Sequence, residues 1–461
     1  MGITAAYIVP HPPLIIPGVG RGDEKKIEKT VESYREVGRR VAGHAPDTIV
    51  FITPHTVIYR DYFHISPGQR ARGDFGGFNA PNAQYEAEYD AELRDAIIAE
   101  AEAAGIPAGT EGERDPELDH ATMIPIHFIN EFYTDYKAVR AGYSGMPAVV
   151  QYMFGKCIKA AAEKTGKNVV IIASGDLSHK LNDESPYGYT PKGEEFDDIV
   201  TEAMASGDFS EFMDMPIDIS LPAAECGLNS FRVMSGALDR LAVRSELLSH
   251  EGPFGVGYAV ACFEVTGEDP SRDFGEGYLE SESGLLSSIR TNESDIVKLA
   301  RFTVENFVRT GEKPEQPADV PKELRESRAG AFVSLHEFGE LRGCIGTFMA
   351  TQECIADEIM ENAVSSCSRD PRFPPVTADD LDHLVYSVDI LGELEEVDSE
   401  EALDPKKYGV FVRSGWKSGI LLPDLDGVDT VEEQLSIAKR KAGIDPDEPV
   451  SMYRFEVQRY K

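Results

Sequence analysis

The sequence is poor in basic residues and cysteine, and it has no long apolar run. Its six cysteines include no CxxC pair, which argues against a disulfide framework and favours reduced thiols in the cytoplasm. Only 45 lysines and arginines stand against 81 acidic residues, and the net charge of −36 opposes binding to nucleic acid or anionic membranes. No segment approaches the roughly 18 apolar residues of a membrane span. We therefore expect a cytoplasmic protein without a membrane segment or a nucleic-acid partner.

The chain is long enough for two domains. Its 461 residues, 41% hydrophobic and 27% charged, are typical of folded globular proteins and exceed what one core usually holds. Residues 1–266 alternate strand-like and helix-like segments, including a predicted strand at 48–53 and predicted helices at 86–104 and 226–241. This pattern predicts an α/β domain with a largely parallel or mixed central sheet flanked by helices. Residues 267–290 lose the pattern and are interpreted as a linker. Residues 291–461 mix strands and helices, which predicts a smaller α+β domain.

Three apolar runs in the first domain end close to a histidine. His11 follows Ala-Ala-Tyr-Ile-Val-Pro, His55 follows Ile-Val-Phe-Ile-Thr-Pro, and His179 follows Val-Val-Ile-Ile-Ala-Ser-Gly-Asp-Leu-Ser. In parallel sheets, ligands bind beyond the carboxyl ends of the strands, where these side chains would meet. Imidazole is a common metal ligand and carries protons near neutral pH. Any one of these histidines is equally well explained by a hydrogen bond to neighbouring backbone, but the set of three predicts a metal enzyme.

The carboxylate candidate for this site is Glu225, in the apolar stretch Leu-Pro-Ala-Ala-Glu-Cys-Gly-Leu. A site with two histidines and one carboxylate holds Fe(II) and leaves other positions open, and a metal would supply the partner that a buried carboxylate needs. His179 and His120 would then be free for proton transfer or for stabilising an oxyanion. Two alternatives stay open. Glu225 is also explained as an acid at a helix N-terminus, and Cys226 as either a ligand for a softer metal or a small buried hydrophobe.

Five short elements occur in an order that resembles a known family: His11-Pro-Pro, Pro-His55-Thr, Asp119-His120-Ala-Thr, Gly-Asp-Leu-Ser-His179 and Glu225-Cys-Gly. They resemble the class III (LigB-type) extradiol ring-cleavage dioxygenases and their Memo relatives over residues 4–266. The resemblance implies Fe(II), with zinc as an alternative, bound by His11, His55 and Glu225. It also implies His179 as the acid/base group and His120 as a donor to bound substrate or oxygen. The substrates would be a catechol-type diol and dioxygen. The Memo branch typically replaces the carboxylate, so Glu225 favours a metal-competent site.

The second domain contains three distinctive strings: Gly339-Glu-Leu-Arg-Gly-Cys-Ile-Gly-Thr347, Asp370-Pro-Arg-Phe-Pro-Pro375 and Gly419-Ile-Leu-Leu-Pro423. They resemble the AMMECR family over residues 290–461. Cys344 lies between glycines, and Arg342 could lower the pKa of its thiol. No base accompanies Cys344 in the motif, which favours a structural or binding role over catalysis. Arg372 is explained equally by a surface contact to an anion and by a salt bridge within its loop.

The order of the two domains resembles the AmmeMemoRadiSam system protein A architecture. This resemblance implies a radical SAM partner protein on a separate chain, because the present sequence has no CxxxCxxC motif. The expected function is an Fe(II)-dependent extradiol-type dioxygenase with a fused accessory domain. The alternative is a metal-binding hydrolase or binding component of a radical-SAM-linked modification system. A homodimer is the assembly that we expect.

Overall fold

The computed structural model describes residues 2–112, 117–338, 340–425 and 427–461. These residues form two compact units, of which the first ends at Ser281 and the second runs from Glu282 to Lys461. Gly339, the first residue of the glycine-rich string in the second domain, lies outside the described residues.

The strands and helices of the first unit alternate along much of the chain. Its strands are β1 (Ile3–Val9), β2 (Thr48–Thr53), β3 (Phe63–His64), β4 (Arg70–Phe75), β5 (Ala80–Glu88), β6 (Ala108–Gly109), β7 (Lys137–Gly142), β8 (Val169–Ser174), β9 (Leu241–Glu251) and β10 (Tyr258–Glu268). Its helices are α1 (Pro17–Gly20), α2 (Glu28–His44), α3 (Ala91–Ala103), α4 (His120–Ile129), α5 (Ala148–Thr165), α6 (Pro191–Ser206), α7 (Ser210–Met213), α8 (Ile217–Ala223) and α9 (Leu228–Ala237). Helix α10 (Phe274–Asn292) follows and contains the boundary between the units.

A six-stranded mixed sheet forms the centre of the first unit, in the order β7-β2-β8-β1-β10-β9. Strands β7, β2, β8 and β1 are parallel, whereas β10 and β9 run antiparallel at one side. β1, β2 and β8 are almost entirely buried because apolar clusters cover both faces of the sheet. Their carboxyl ends are in register, with Val9 beside Ser174 and Ile52 beside Ala173. The loops that carry the candidate histidines therefore leave the sheet at one edge.

The predicted fold class is confirmed, and the strand predicted at 48–53 coincides with β2. Two predicted helices are too long. The helix predicted at 86–104 begins only at Ala91, because the preceding residues pair with β4 in a hairpin. The helix predicted at 226–241 is α9, and the chain enters β9 at Leu241, where pairing with β10 overrides local helix preference. The segment 267–290, predicted as the linker, contains most of α10.

The second unit is an α+β arrangement with two antiparallel sheets. Its helices are α11 (Asp295–Thr310), α12 (Lys322–Glu326), α13 (Ile355–Ser368) and α14 (Val431–Ala442). Its strands are β11 (Ala331–Glu337), β12 (Glu340–Gly346), β13 (Leu384–Leu391), β14 (Glu395–Val397), β15 (Gly409–Ser414), β16 (Lys417–Leu421), β17 (Ser451–Phe455) and β18 (Val457–Tyr460). One sheet has the order β12-β11-β13-β18 and packs with α11 and α13, and the other has the order β14-β17-β15-β16 and packs with α14.

Among the described residues, the helices lack the combination of length and apolarity that crossing a membrane requires.

Helices α5 and α9 cross at a point where backbone meets backbone. A Cβ atom added at Gly155 would lie 2.0 Å from the carbonyl oxygen of Val233 and 2.7 Å from the nitrogen of Ala237. We expect Gly155→Ala to lower the free energy of unfolding by about 2 kcal/mol or more in urea denaturation, because backbone cannot yield to the added methyl group. Gly43→Ala is the matched control, since no described atom lies within 4 Å of its added Cβ outside its two chain neighbours and the backbone of its own helix. That helical substitution should raise the free energy of unfolding by up to ~1 kcal/mol. Equal changes in the free energy of unfolding in the two variants would contradict the close crossing of α5 and α9.

Candidate metal centre

His11 is held rigidly at the end of β1. It is 2% exposed, and its backbone N–H donates to Oδ1 of Asp176 at 2.6 Å. Its ring nitrogen Nδ1 lies 3.1 Å from the hydroxyl of Ser174, the last residue of β8. The hydroxyl of Tyr34 donates to the carbonyl of Pro10 and fixes the preceding residue. These contacts leave Nε2 as the ring nitrogen that faces the other histidines.

His55 follows β2 and brings a second ring nitrogen to the same point. Its backbone N–H donates to the hydroxyl of Thr53 at 3.1 Å, and its own Nε2 lies 3.1 Å from Nε2 of His11. At this distance the two nitrogens either share one proton, with one as donor and the other as acceptor, or face a common ion. His55 is exposed whereas His11 is buried, so solvent reaches the pair from the side of His55.

The third member of the group is His120, the first residue of α4. Asp119 caps this helix by accepting the backbone N–H of Thr122 at 2.9 Å. The ring centroid of His120 lies 4.3 Å from that of His55 and 5.5 Å from that of His11. One ring nitrogen from each of the three residues lies within 4.8 Å of the others. We call His11, His55 and His120 the histidine cluster.

The environment keeps the histidine cluster neutral at physiological pH. Burial lowers the pKa of His11 well below 6.5, and repulsion from His55, His120 and His179 acts in the same direction. Burial also lowers the pKa of His55, although the Asp119 carboxylate opposes the shift. The pKa of His120 is lowered to about 4 by burial and by His55. Neutral imidazoles have free lone pairs, and a set of such donors suits Zn, Cu, Fe and Ni.

Glu225 lies outside the histidine cluster. It is half-buried, and its Oε2 accepts the backbone N–H of Leu228 at 2.7 Å, at the start of α9. Burial raises the pKa of this carboxyl, although the Leu228 N–H opposes the shift. The contact observed is that of the alternative, an acid at a helix N-terminus. The structure groups His120 with His11 and His55, and the ligand role of Glu225 stays a prediction.

Cys226 and Asp176 are the other polar groups next to His11. The Sγ atom of Cys226 lies 3.5 Å from His11 Nε2, and Oδ2 of Asp176 lies 3.8 Å from the same nitrogen. Burial and the neighbouring carboxylates raise the pKa of the Cys226 thiol well above its usual range. Burial also raises the pKa of Asp176 to about 7. Sequence reasoning assigned no role to Asp176, although an acid directly after a buried strand was a usable signal.

His179 lies near the histidine cluster but does not belong to it. Its backbone N–H donates to the carbonyl of Ala223 at 3.0 Å, and its ring centroid lies 6.1 Å from that of Tyr187. Its buried Nδ1 has no hydrogen-bond partner among the described residues. Burial and repulsion from His55 lower its pKa, so the ring is neutral at pH 7. A neutral imidazole suits proton transfer, and this role stays a prediction.

In the second unit, the two arginines of the distinctive strings hold their loops together. Arg342 donates to the carbonyl of Pro374 at 2.7 Å and to Asp380 at 2.9 Å. Arg372 donates to Asp370 at 2.7 Å and to the carbonyl of Cys344 at 2.9 Å. Of the two explanations for Arg372, the salt bridge within its loop is the contact observed. The role of Cys344 stays a prediction.

Comparison with known families agrees with this architecture. Residues 5–261 match the family described as the catalytic LigB subunit of aromatic ring-opening dioxygenase, and residues 297–460 match the AMMECR1 family. The chain belongs to the LigB family, with an AMMECR1 domain fused to it. The resemblance inferred from the sequence motifs is thereby confirmed for both domains. LigB domains are typically metal-dependent, and the histidine cluster offers a donor set for a metal.

Full-length and partial relatives exist in bacteria and archaea. Protein CA_C1420 of Clostridium acetobutylicum is 40% identical over an alignment of 469 positions that covers 100% of both chains. A protein of Thermotoga maritima is 55% identical over 171 residues, or 37% of this chain and 98% of that one. The crystal structure of PH0010 from Pyrococcus horikoshii is 33% identical and covers 36% of this chain and 88% of that one, with a TM-score of 0.33.

The lowered pKa of His120 has a measurable effect on stability. Between pH 6.5 and about pH 4 the unfolded chain binds a proton at this imidazole, whereas the folded chain does not. The free energy of unfolding therefore falls as the pH is lowered through this window. His120→Asn removes the imidazole and its contribution to this pH dependence. We therefore expect the metal-free variant to lose less thermal stability than the metal-free wild type between pH 6.5 and pH 4.5. A decline as steep as that of the wild type would contradict a buried, neutral His120.

Proposed function

We propose that the LigB domain is a metal-dependent oxidoreductase of the extradiol ring-cleaving type. Its metal would be Fe(II), and its substrates would be a catechol-type or related diol and dioxygen. The observation that carries the proposal is the approach of three imidazole nitrogens to within 4.8 Å of one another, in His11, His55 and His120. Membership of the LigB family supports the same reaction class.

The histidine cluster would hold the ion. Its imidazoles are neutral at pH 7 because burial lowers their pKa values, so no proton has to leave before they bind a cation. A bound Fe(II) ion would supply open positions at which a diol and dioxygen meet with correct orientation. His11 and His55 follow β1 and β2, the two strands that flank β8, and His120 begins a capped helix; rigid elements of this kind hold donor atoms in place.

The residues around the histidine cluster suit a planar diol. His179 is neutral and would accept the proton of a substrate hydroxyl, while its backbone is held by Ala223. Tyr187, 66% exposed, lies beside His179, and the ring of Phe78 lies 5.4 Å from that of His120. Two aromatic side chains at the edge of the site favour stacking with an aromatic ring.

A second function is favoured by the position of Glu225. Its carboxylate accepts the N–H of Leu228, while the thiol of Cys226 lies 3.5 Å from His11 Nε2, closer than Oδ2 of Asp176 at 3.8 Å. Imidazole with a neighbouring thiol suits zinc as well as iron or copper. On this proposal the chain is a metal-binding hydrolase or binding component, with zinc as the metal, that works with a separate radical SAM protein.

Metal analysis of variants distinguishes the ligand sets. We expect anaerobically purified protein to hold about one metal ion per chain, and we expect His11→Ala and His120→Ala to lose it, because both rings face the shared point. Glu225→Gln should keep the metal, since its carboxylate contacts Leu228 instead. The metal content of each variant is measured by mass spectrometry. If Glu225→Gln loses the metal and His120→Ala keeps it, the ligands are the set implied by the sequence motifs.

Oxygen uptake tests the reaction itself. We expect Fe(II)-loaded protein to consume dioxygen with at least one member of a catechol panel. His179→Ala should lower the rate by about 10²–10⁴-fold with unchanged metal content, because a general base contributes a factor of that size. Zinc in the purified protein together with no uptake by the Fe(II)-loaded form would exclude the dioxygenase and support the non-oxygenase.

A further inference from the structure

We propose that Asp119 is the positioning residue of the metal centre, because its single carboxylate joins the end of β2 that carries His55 to the start of α4 that carries His120. This inference rests on the proposed metal site. Asp119 is not a member of the histidine cluster, and its hydrogen bonds reach the backbone segments that carry two of the three imidazoles.

The first arm of this arrangement runs to His55. The hydroxyl of Thr53 donates to Oδ1 of Asp119 at 2.8 Å. The same hydroxyl oxygen accepts the backbone N–H of His55 at 3.1 Å. The backbone of His55 is therefore linked to the carboxylate through one side chain.

The second arm runs to His120. Oδ1 of Asp119 accepts the backbone N–H of Thr122 at 2.9 Å, and Oδ2 accepts the hydroxyl of the same threonine at 2.9 Å. These bonds cap α4, and His120 is its first residue. The direction in which α4 leaves its cap sets where the His120 ring lies relative to His55.

A buried arginine anchors the carboxylate. The side chain of Asp119 is 8% exposed and that of Arg140 is 2% exposed, and Nη1 of Arg140 lies 3.4 Å from Oδ2 of Asp119. Arg140 lies in β7 and is itself fixed, because it donates to the hydroxyl of Ser66 at 2.7 Å and to the carbonyl of Glu117 at 2.7 Å. The negative charge is therefore part of the arrangement and not only the shape of the side chain.

Removal of that charge should disturb both arms. In Asp119→Asn, an NH₂ donor replaces one of the two acceptor oxygens. The side chain can then no longer accept all the hydrogen bonds that Thr53, Thr122 and Arg140 donate. The ion pair between the buried Arg140 and Asp119 is also lost, and breaking a buried ion pair is costly. We expect the end of β2 and the start of α4 to move apart or reorient.

The chain offers a matched control at the opposite end of β2. Asp90 caps α3 by accepting the N–H of Leu93 at 3.1 Å, accepts the hydroxyl of Thr48, and binds Lys167 at 2.6 Å. It has the same type of cap, threonine partner and cationic partner as Asp119. Thr48 begins β2, and Thr53 ends it. At a rise of about 3.3 Å per residue, the two threonines are ~17 Å apart.

The test compares Asp119→Asn with Asp90→Asn in the full-length protein. Affinity for Co(II) is measured by competition with a chelator, and the visible spectrum of bound Co(II) reports the ligand geometry. We expect Asp119→Asn to weaken Co(II) binding by about 10–100-fold and to change the spectrum. Asp90→Asn should leave the Co(II) affinity and the spectrum within error of the wild type, although it should lose about as much thermal stability as Asp119→Asn.

A metal-free readout separates this inference from the proposed function. In protein labelled with ¹⁵N-histidine, we expect the side-chain resonances of His55 and His120 to shift in metal-free Asp119→Asn and to stay unchanged in Asp90→Asn. Unshifted resonances in Asp119→Asn would overturn the positioning role. If wild-type protein binds no Co(II), the proposed metal function fails, and the resonances still decide whether Asp119 positions the two imidazoles.

Discussion

The parallel pairing of β1, β8 and β2 is the constraint on which the rest of the LigB domain depends. Because Val9 pairs with Ser174 and Ile52 with Ala173, the three strands end at the same level. The loops that follow deliver His11, His55 and His179 to one edge of the sheet. Burial of these strands on both faces fixes their register, since a shift of one residue would exchange the side chains that pack in two different apolar clusters. The candidate site is thus a consequence of how the core packs.

Burial also sets the chemistry at that edge. Imidazoles that are shielded from water, and that repel one another when charged, stay neutral at physiological pH. The same shielding raises the pKa of the nearby Cys226 thiol and Asp176 carboxyl. The site therefore combines uncharged nitrogen donors with a thiol that holds its proton and a carboxyl with a pKa of about 7.

The sequence indicated much of this arrangement. The apolar runs before His11 and His55 identified real strands, and their parallel order predicted that the two rings would meet. It could not predict that His120 would join them, because that residue follows no strand and reaches the edge only through the cap of α4. Glu225 was predicted from its apolar surroundings. Its carboxylate accepts the backbone N–H of Leu228, and its role as a ligand stays a prediction.

By itself, the sequence determined the fold class, the two domain families and their order, because these depend on local patterns and short motifs that survive without three-dimensional information. Only the tertiary structure decided which side chains surround His11, because strand register and helix caps place residues that are far apart in the chain. It also decided that Arg372 binds Asp370, since a motif shows which charges are present but not which of them are within reach.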